Sequence, residues 1–300
     1  MQTELPPLKA WLLLGLLALI WGSSFLLIKK GLLGFSPDQL AAIRIASAGF
    51  VLLPFILKRF KTVKVHHWLK LICVGLVGSF IPAFLFAFAQ TELPSGVTGV
   101  LNTFTPLATL IIGVLLFRQP ARMQQWLGVV IGLVGTLLLV TASASGNFEF
   151  NRYGLLIIAA TICYGLNLNL IKHHIPDLGA LTITGVSLFL VAPPALAYLL
   201  LATPFTTTIQ QPEAWFPLSA ILLLGVVGTA MALIIFNTVV KLTDTTFTSS
   251  VTYLIPIVAL ILGVIDGEPF FIQQGVGLAA ILVGVWIANR RKRQPLNPQR

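Results

Sequence analysis

Arg44 is a lone cation inside a long apolar stretch, about six residues or roughly 9 Å of helix past Asp38. An ion so placed is a functional group by default. Its guanidinium either holds a substrate carboxylate, pairs with Glu92, or snorkels back to the nearer interface. A second set of groups joins an aromatic ring to a hydrogen-bonding side chain. Trp21 and Ser24 are spaced i, i+3, as are Tyr164 and Asn167, so each pair shares one helix face. On facing helices they suit an amphipathic solute; the alternative for the indole is packing or an interfacial anchor. Trp21 lies about 15 Å of helix rise beyond Trp11, near the middle of a span.

Pro106 and Pro256 interrupt apolar stretches, and each removes the hydrogen bond to a carbonyl four residues back, on Asn102 and Thr252. In hydrocarbon a freed carbonyl faces a polar cavity or is satisfied by a neighbouring Ser or Thr. The cavity reading brings Asn102, Thr103, Thr252 and Tyr253 to the site. Phe84 and Phe88 share a face that either stacks a solute side chain or meets lipid and core. Asn237, a lone amide in an apolar run, contacts solute or makes an interhelical hydrogen bond worth roughly 0.6–2 kcal/mol.

What is missing narrows the chemistry further. No Asp or Glu lies near the middle of an apolar run, which argues against a buried proton-carrying carboxylate and against permanently cationic cargo. Cavity Lys and Arg are too few to clamp phosphorylated solutes. His66-His67 and His173-His174 are neighbours that do not share a helix face, so no metal site is expected, and nothing calls for a cofactor. Cys73 and Cys163 read as small core residues. No Gly-Lys dipeptide exists for a phosphate-binding loop, and the scattered Ser, Thr and Cys supply no nucleophile and base for an enzyme.

The elements that must position these groups follow from composition. The chain has 300 residues, 57% hydrophobic and 9% charged, against roughly 25% charge in soluble domains. So few charges cannot coat a water-facing surface. Each membrane-spanning helix needs roughly 20 mainly apolar residues, and the apolar runs suit about ten. With ten spans both termini share a side. Placing them in the cytoplasm puts Lys9, the Lys58–Lys70 cluster, Arg118, Arg122, Lys172, Lys241 and the Arg290-Arg291-Lys292-Arg293 tail inside. Lys29, Lys30 and Arg152 then lie outside with most of the acids. The formal charge of +10 is therefore topological, as basic loops stay cytoplasmic. Nucleic acid is not an expected partner; the basic tail anchors at anionic lipid headgroups, and Lys29 and Lys30 are expected to snorkel.

An ordered series of matches recurs about 140–150 residues apart. Trp21-Gly22 matches Tyr164-Gly165, Gly75-x-x-Gly78 matches Gly225-x-x-Gly228, and Pro106 matches Pro256. Gln124-Gln125 and Gly128 match Gln273-Gln274 and Gly277. The chain divides into residues 1–147 and 148–300, each with five spans. Five is odd, so the second half is inverted: basic Arg118 and Arg122 after the fourth span become acidic Asp266 and Glu268 after the ninth. Inverted repeats with paired helix interruptions point to a transporter with its site near the midplane.

The sequence resembles the EamA-domain branch of the drug/metabolite transporter superfamily. The resemblance rests on Trp21-Gly22-Ser23-Ser24-Phe25 with Lys29, on Leu40-Ala41-Ala42-Ile43-Arg44, on Pro256 through Gly263, and on Gly267-Glu268-Pro269, Gln274, Gly277 and Gly284. It implies ten helices with cytoplasmic termini, and a cavity formed mainly by spans one, three, four, six, eight and nine. It also implies export of small metabolites, amino acids among them. One departure stands out: Arg118-Gln119-Pro120 occupies a turn that often carries Gly-Glu in such proteins. The expectation is an all-α, multi-pass protein of the prokaryotic plasma membrane, a monomer or homodimer. It exports small net-neutral solutes by alternating access; the alternative is a proton-coupled multidrug exporter.

Overall fold

Long runs of Leu, Ile, Val, Ala and Phe leave the backbone to satisfy its own polar groups, and a helix does so within one segment. The structure is a computed structural model that describes residues 8–141, 151–242 and 251–289. Among these residues every regular element is helical. The helices are α1 (Leu8–Gly31), α2 (Pro37–Ile56), α3 (Val65–Ala89), α4 (Ser95–Phe117) and α5 (Met123–Thr141). They are followed by α6 (Arg152–His174), α7 (Ala180–Ala202), α8 (Pro212–Phe236), α9 (Val251–Ile265) and α10 (Ile272–Asn289). The last helical segment of α8, Ala232–Leu242, carries on past the apolar stretch.

Seven of these, α1–α4 and α6–α8, are long and apolar enough to cross a membrane, while α5, α9 and α10 hold shorter apolar stretches. Leu12, Leu16 and Leu19 on α1, Leu133 and Leu137 on α5, and Ile257 and Ile261 on α9 are all exposed. An exterior of that kind is a lipid-facing surface, since a soluble monomer does not expose contiguous apolar patches of such extent.

Packing follows a rule of exchange. α1 packs on α9 and α8, and α6 packs on α4 and α3, the helices that hold the matching places in the other half. α2 packs on α8 as α7 packs on α3. The two most extensive seams join matching helices directly, α5 to α10 and α2 to α7.

The turns after α4 and α9 are also alike. Both enter the left-handed region, at Arg118 (φ 51°) and Gly267 (φ 85°), and in both a backbone N–H closes onto a glycine carbonyl: Gln119 onto Gly113, and Glu268 onto Gly263. The departure at Arg118 thus preserves the turn but places a side chain where only glycine is free of strain. Arg118→Gly is expected to stabilise the protein by up to about 1 kcal/mol, the relieved strain exceeding the added unfolded-state entropy. A raised unfolding midpoint in detergent is the check.

Candidate functional site

α3 and α8 each open at one place into a π-helical turn, Leu76–Phe80 and Val226–Met231. The turns begin directly after Gly75 and Gly225, at matching positions in the two halves. A π turn widens a helix, shifts carbonyls off the regular ladder, and recurs at functional sites.

Three of the side chains singled out by sequence converge on the α8 turn. Trp21 donates from Nε1 to the Gly228 carbonyl at 3.1 Å. Ser24 donates from Oγ to the Ile20 carbonyl at 2.8 Å and lies so close to Gly228 that a Cβ there would sit 3.0 Å from the hydroxyl. Arg44 donates from Nε to Thr229 Oγ1 at 3.3 Å, and Thr229 donates in turn to the Leu224 carbonyl at 3.2 Å. Gly225 admits α2 to this contact, since a Cβ on it would fall 2.8 Å from the Arg44 carbonyl oxygen. The α3 turn mirrors the arrangement. Asn167, which matches Ser24, lies against Gly78, and a Cβ there would fall 2.7 Å from its Cγ. The Asn167 Oδ1 is buried and has no hydrogen-bond partner among the described residues.

Arg44, on α2, and Tyr164, on α6, are both half-buried. They interact electrostatically with each other, and no Asp or Glu among the described residues reaches Arg44. Of the three readings of Arg44, pairing with Glu92 is not made: no ion pair among the described residues includes Arg44. Tyr164 stacks on Phe86 at 6.1 Å, and Phe86 meets Phe25 at 5.9 Å.

Other expected residues are placed differently. Phe84 packs on Phe80 and edge-on against Tyr198, and Phe88 is 44% exposed on the exterior. Phe86, on the opposite face, is the ring that meets Tyr164. At Pro106 the helix breaks into a 3-10 turn, Asn102–Phe104, and restarts with Pro106 in its first turn. The Asn102 carbonyl freed there accepts from Thr105 Oγ1 at 2.8 Å, so a local hydroxyl satisfies it. Pro256 is buried within the uninterrupted α9. The side chains of Asn237 and Tyr253, and the basic tail, lie outside the described residues.

Polar clasps close the bundle at both ends of α4. At its N-terminal end Lys29 pairs with Asp266 at 2.7 Å and with Glu268 at 2.9 Å, and Lys30 pairs with Asp266 at 2.5 Å. These lysines do not snorkel; they bind α1 to the turn after α9. Glu268 also accepts from the Ser95 N–H at 2.9 Å and the Gly96 N–H at 3.0 Å, capping the start of α4. Burial alone would raise the Glu268 carboxyl, but the bonds from Gly96, Lys29 and Ser95 outweigh it and hold the group below its ordinary value. Hydrogen bonds from Lys29 and Lys30 hold Asp266 below its ordinary value as well. Beside this clasp opens a cleft of about 550 Å³ lined by Lys29, Phe35, Ser36, Gln90 and Glu213. At the C-terminal end of α4 the clasp is made of amide and imidazole groups. Gln119 Nε2 donates to Asn169 Oδ1 at 2.6 Å and lies 2.8 Å from His173 Nε2, while Asn169 donates to the Thr109 carbonyl at 3.0 Å.

The π turns were not legible beforehand. Their only signal was the repeated Gly-x-x-Gly, which equally describes close helix packing. Thr229 carried no signal beyond being a hydroxyl in an apolar run.

A lipid-facing exterior, helices that exchange partners between two halves, and polar side chains gathered on paired π turns define a multi-pass membrane protein. The chain belongs to the EamA-like transporter family, whose model matches it twice, over residues 8–141 and 151–290. It is 25% identical over 279 residues to the uncharacterized inner membrane transporter YedA of Escherichia coli, covering 90% of this chain and 87% of that one. It is 26% identical over 280 residues to the "Probable amino-acid metabolite efflux pump" of Salmonella typhimurium, covering 91% and 92%. A solved structure superposes with a TM-score of 0.62 at 21% identity over 92% of this chain and 95% of the other, a likeness of fold.

Proposed function

We propose that the chain is a secondary transporter that exports small, net-neutral metabolites, amino acids foremost, by alternating access through the space between its halves. The observation that carries this reading is the convergence of Trp21, Ser24 and Arg44 on the α8 π turn, mirrored by Asn167 on the α3 turn. Paired helix interruptions at matching places are where transporters built from repeats hold their solute. The name of the Salmonella relative agrees with the solute class.

In this reading all ten helices cross a plasma membrane, the second half is inverted, and both termini are cytoplasmic. Exchange of packing partners between the halves supports the inversion. The ion-paired clasp then faces outward, with the adjoining cleft as exit vestibule, and the Gln119 clasp faces the cytoplasm. The unit is a monomer or a homodimer whose basic tail rests on anionic lipid. Purified protein in liposomes is expected to give saturable counterflow of neutral amino acids. Absence of flux for every neutral amino acid and metabolite tried overturns the reading. Flux that follows an imposed pH gradient and prefers lipophilic cations replaces it with a multidrug exporter.

A further inference from the structure

We propose that the group this protein reads on its solute is a carboxylate held by Arg44, and that the solute's amino group is dispensable. This rests on the space between the halves being the solute path, and goes beyond it by naming monocarboxylates, 2-oxo acids as well as amino acids, as the substrate class.

The argument begins with an uncompensated charge. A guanidinium does not deprotonate in proteins, and an enclosed ion without a counter-ion is costly. The acids among the described residues are engaged elsewhere or sit in turns. Asp38 accepts from the Tyr198 hydroxyl, Asp177 pairs with His67, and Asp266 and Glu268 hold the lysines. Glu92 lies in the turn between α3 and α4, and Glu213 in the first turn of α8. None of the acids among the described residues supplies the counter-charge, which is therefore assigned to the solute.

Geometry selects the anion. Thr229 occupies Nε, and the two terminal nitrogens of the fork have no partner among the described residues. Two parallel N–H donors match a carboxylate bidentately. One cation balances a monoanion, whereas a phosphate group would demand more.

The rest of the space offers no counter-charge for an ammonium group. It presents the rings of Trp21 and Tyr164 and the unpartnered amide of Asn167. An amide turns either its oxygen toward an ammonium or its N–H₂ toward a keto oxygen, so it tolerates both. The rings suit an apolar side chain. A monocarboxylate anion also needs no proton carrier for export: an interior-negative potential sustains an outward gradient of about fifty-fold per 100 mV for a single charge. No acid lies in the interior of any described helix to serve as such a carrier.

Four matched probes test this: leucine, 4-methyl-2-oxopentanoate, leucinamide and isopentylamine. In liposomes, counterflow of labelled leucine is expected to be inhibited by the 2-oxo acid within about ten-fold of leucine itself, and by the amide and amine at least a hundred-fold more weakly. An interior-negative potassium diffusion potential should speed efflux of the 2-oxo acid several-fold and leave leucine unchanged. Arg44→Gln should abolish leucine and 2-oxo-acid flux, and Arg44→Lys should retain a residue of both. If Arg44→Gln does not fold, the probe series on the unaltered protein decides alone. An amide or amine that competes as well as leucine, or a 2-oxo acid that fails to compete while leucine crosses, overturns the proposal and leaves the transporter reading standing. If leucine does not cross, thermal protection by the same probes decides. Protection by the two acids alone sustains the carboxylate site without transport, and no protection by either acid overturns it.

Discussion

Glu268→Gln is expected to lower stability by about 2–4 kcal/mol, read as a shift in unfolding of the purified protein against SDS mole fraction. The side chain is only 8% exposed and accepts three hydrogen bonds, from Lys29 Nζ and from the N–H groups of Ser95 and Gly96. The amide keeps one acceptor oxygen, but its N–H₂ group faces donors where the carboxylate presented a second acceptor. At least one helix-terminal N–H is then orphaned, and Lys29 is left with Asp266 alone. The pH dependence carries the same signature. Glu268 and Asp266 both have carboxyls held below their ordinary values of 4.5 and 3.8 in the folded protein. A depressed folded value contributes stability above the unfolded value, and that contribution is lost as pH falls through the folded one. Stability should therefore be flat with respect to these groups from pH 8 to about 5 and decline in acid, with a shallower acid limb in Glu268→Gln. An unchanged acid limb would remove Glu268 from the clasp.

The two clasps differ in kind, and that difference bears on alternation. The Lys29 end is held by full charges and capped backbone donors. The Gln119 end is held by amide and imidazole groups that exchange protein partners for water at small net cost. The two ends of α4 thus carry closures of unequal strength, because Lys29 and Lys30 meet Asp266 and Glu268 at one end while Gln119 meets Asn169 and His173 at the other. In the orientation proposed above, the firmer closure faces outward and the weaker one faces the side from which an exporter loads.

Much of this architecture was legible because its causes are local in the chain. Apolar runs force helices, and the ordered repeat from Trp21/Tyr164 to Gly128/Gly277 foretold the two matches to one family model. Arg44, Trp21 and Ser24 stood out because polar groups in hydrocarbon are expensive. The failures come where facing depends on helix rotation. Phe84, Phe86 and Phe88 follow one another at about 200° around one axis, about 100° per residue, and the π turn at Leu76–Phe80 resets that phase just before them. Lys29 and Lys30 were misread because their partners are more than two hundred residues away in sequence. The Asn102 carbonyl takes the second of its two sequence readings, since Thr105, three residues on, satisfies it.

The seam between α5 and α10 should respond to glycine substitution in a way that separates scaffold from path. A Cβ on Gly135 would fall 2.7 Å from the Gly277 carbonyl oxygen and 2.9 Å from the Ile281 nitrogen. One on Gly284 would fall 2.5 Å from the Gly128 carbonyl oxygen and 2.7 Å from the Gly132 nitrogen. Both obstacles are backbone, so no rotamer change relieves them and the helices must part. Gly135→Ala and Gly284→Ala should each cost about 1–3 kcal/mol. The double variant should cost clearly less than the sum, because one separation of the same two helices accommodates both methyl groups. Among the described residues neither helix makes a hydrogen bond, ion pair or ring contact to Arg44 or Tyr164, so solute affinity at a permissive temperature should be unchanged in all three variants. Strict additivity would mean that each methyl is absorbed locally and the seam does not move as a unit. A loss of affinity that exceeds the loss of folded protein would place α5 and α10 in the moving part of the cycle.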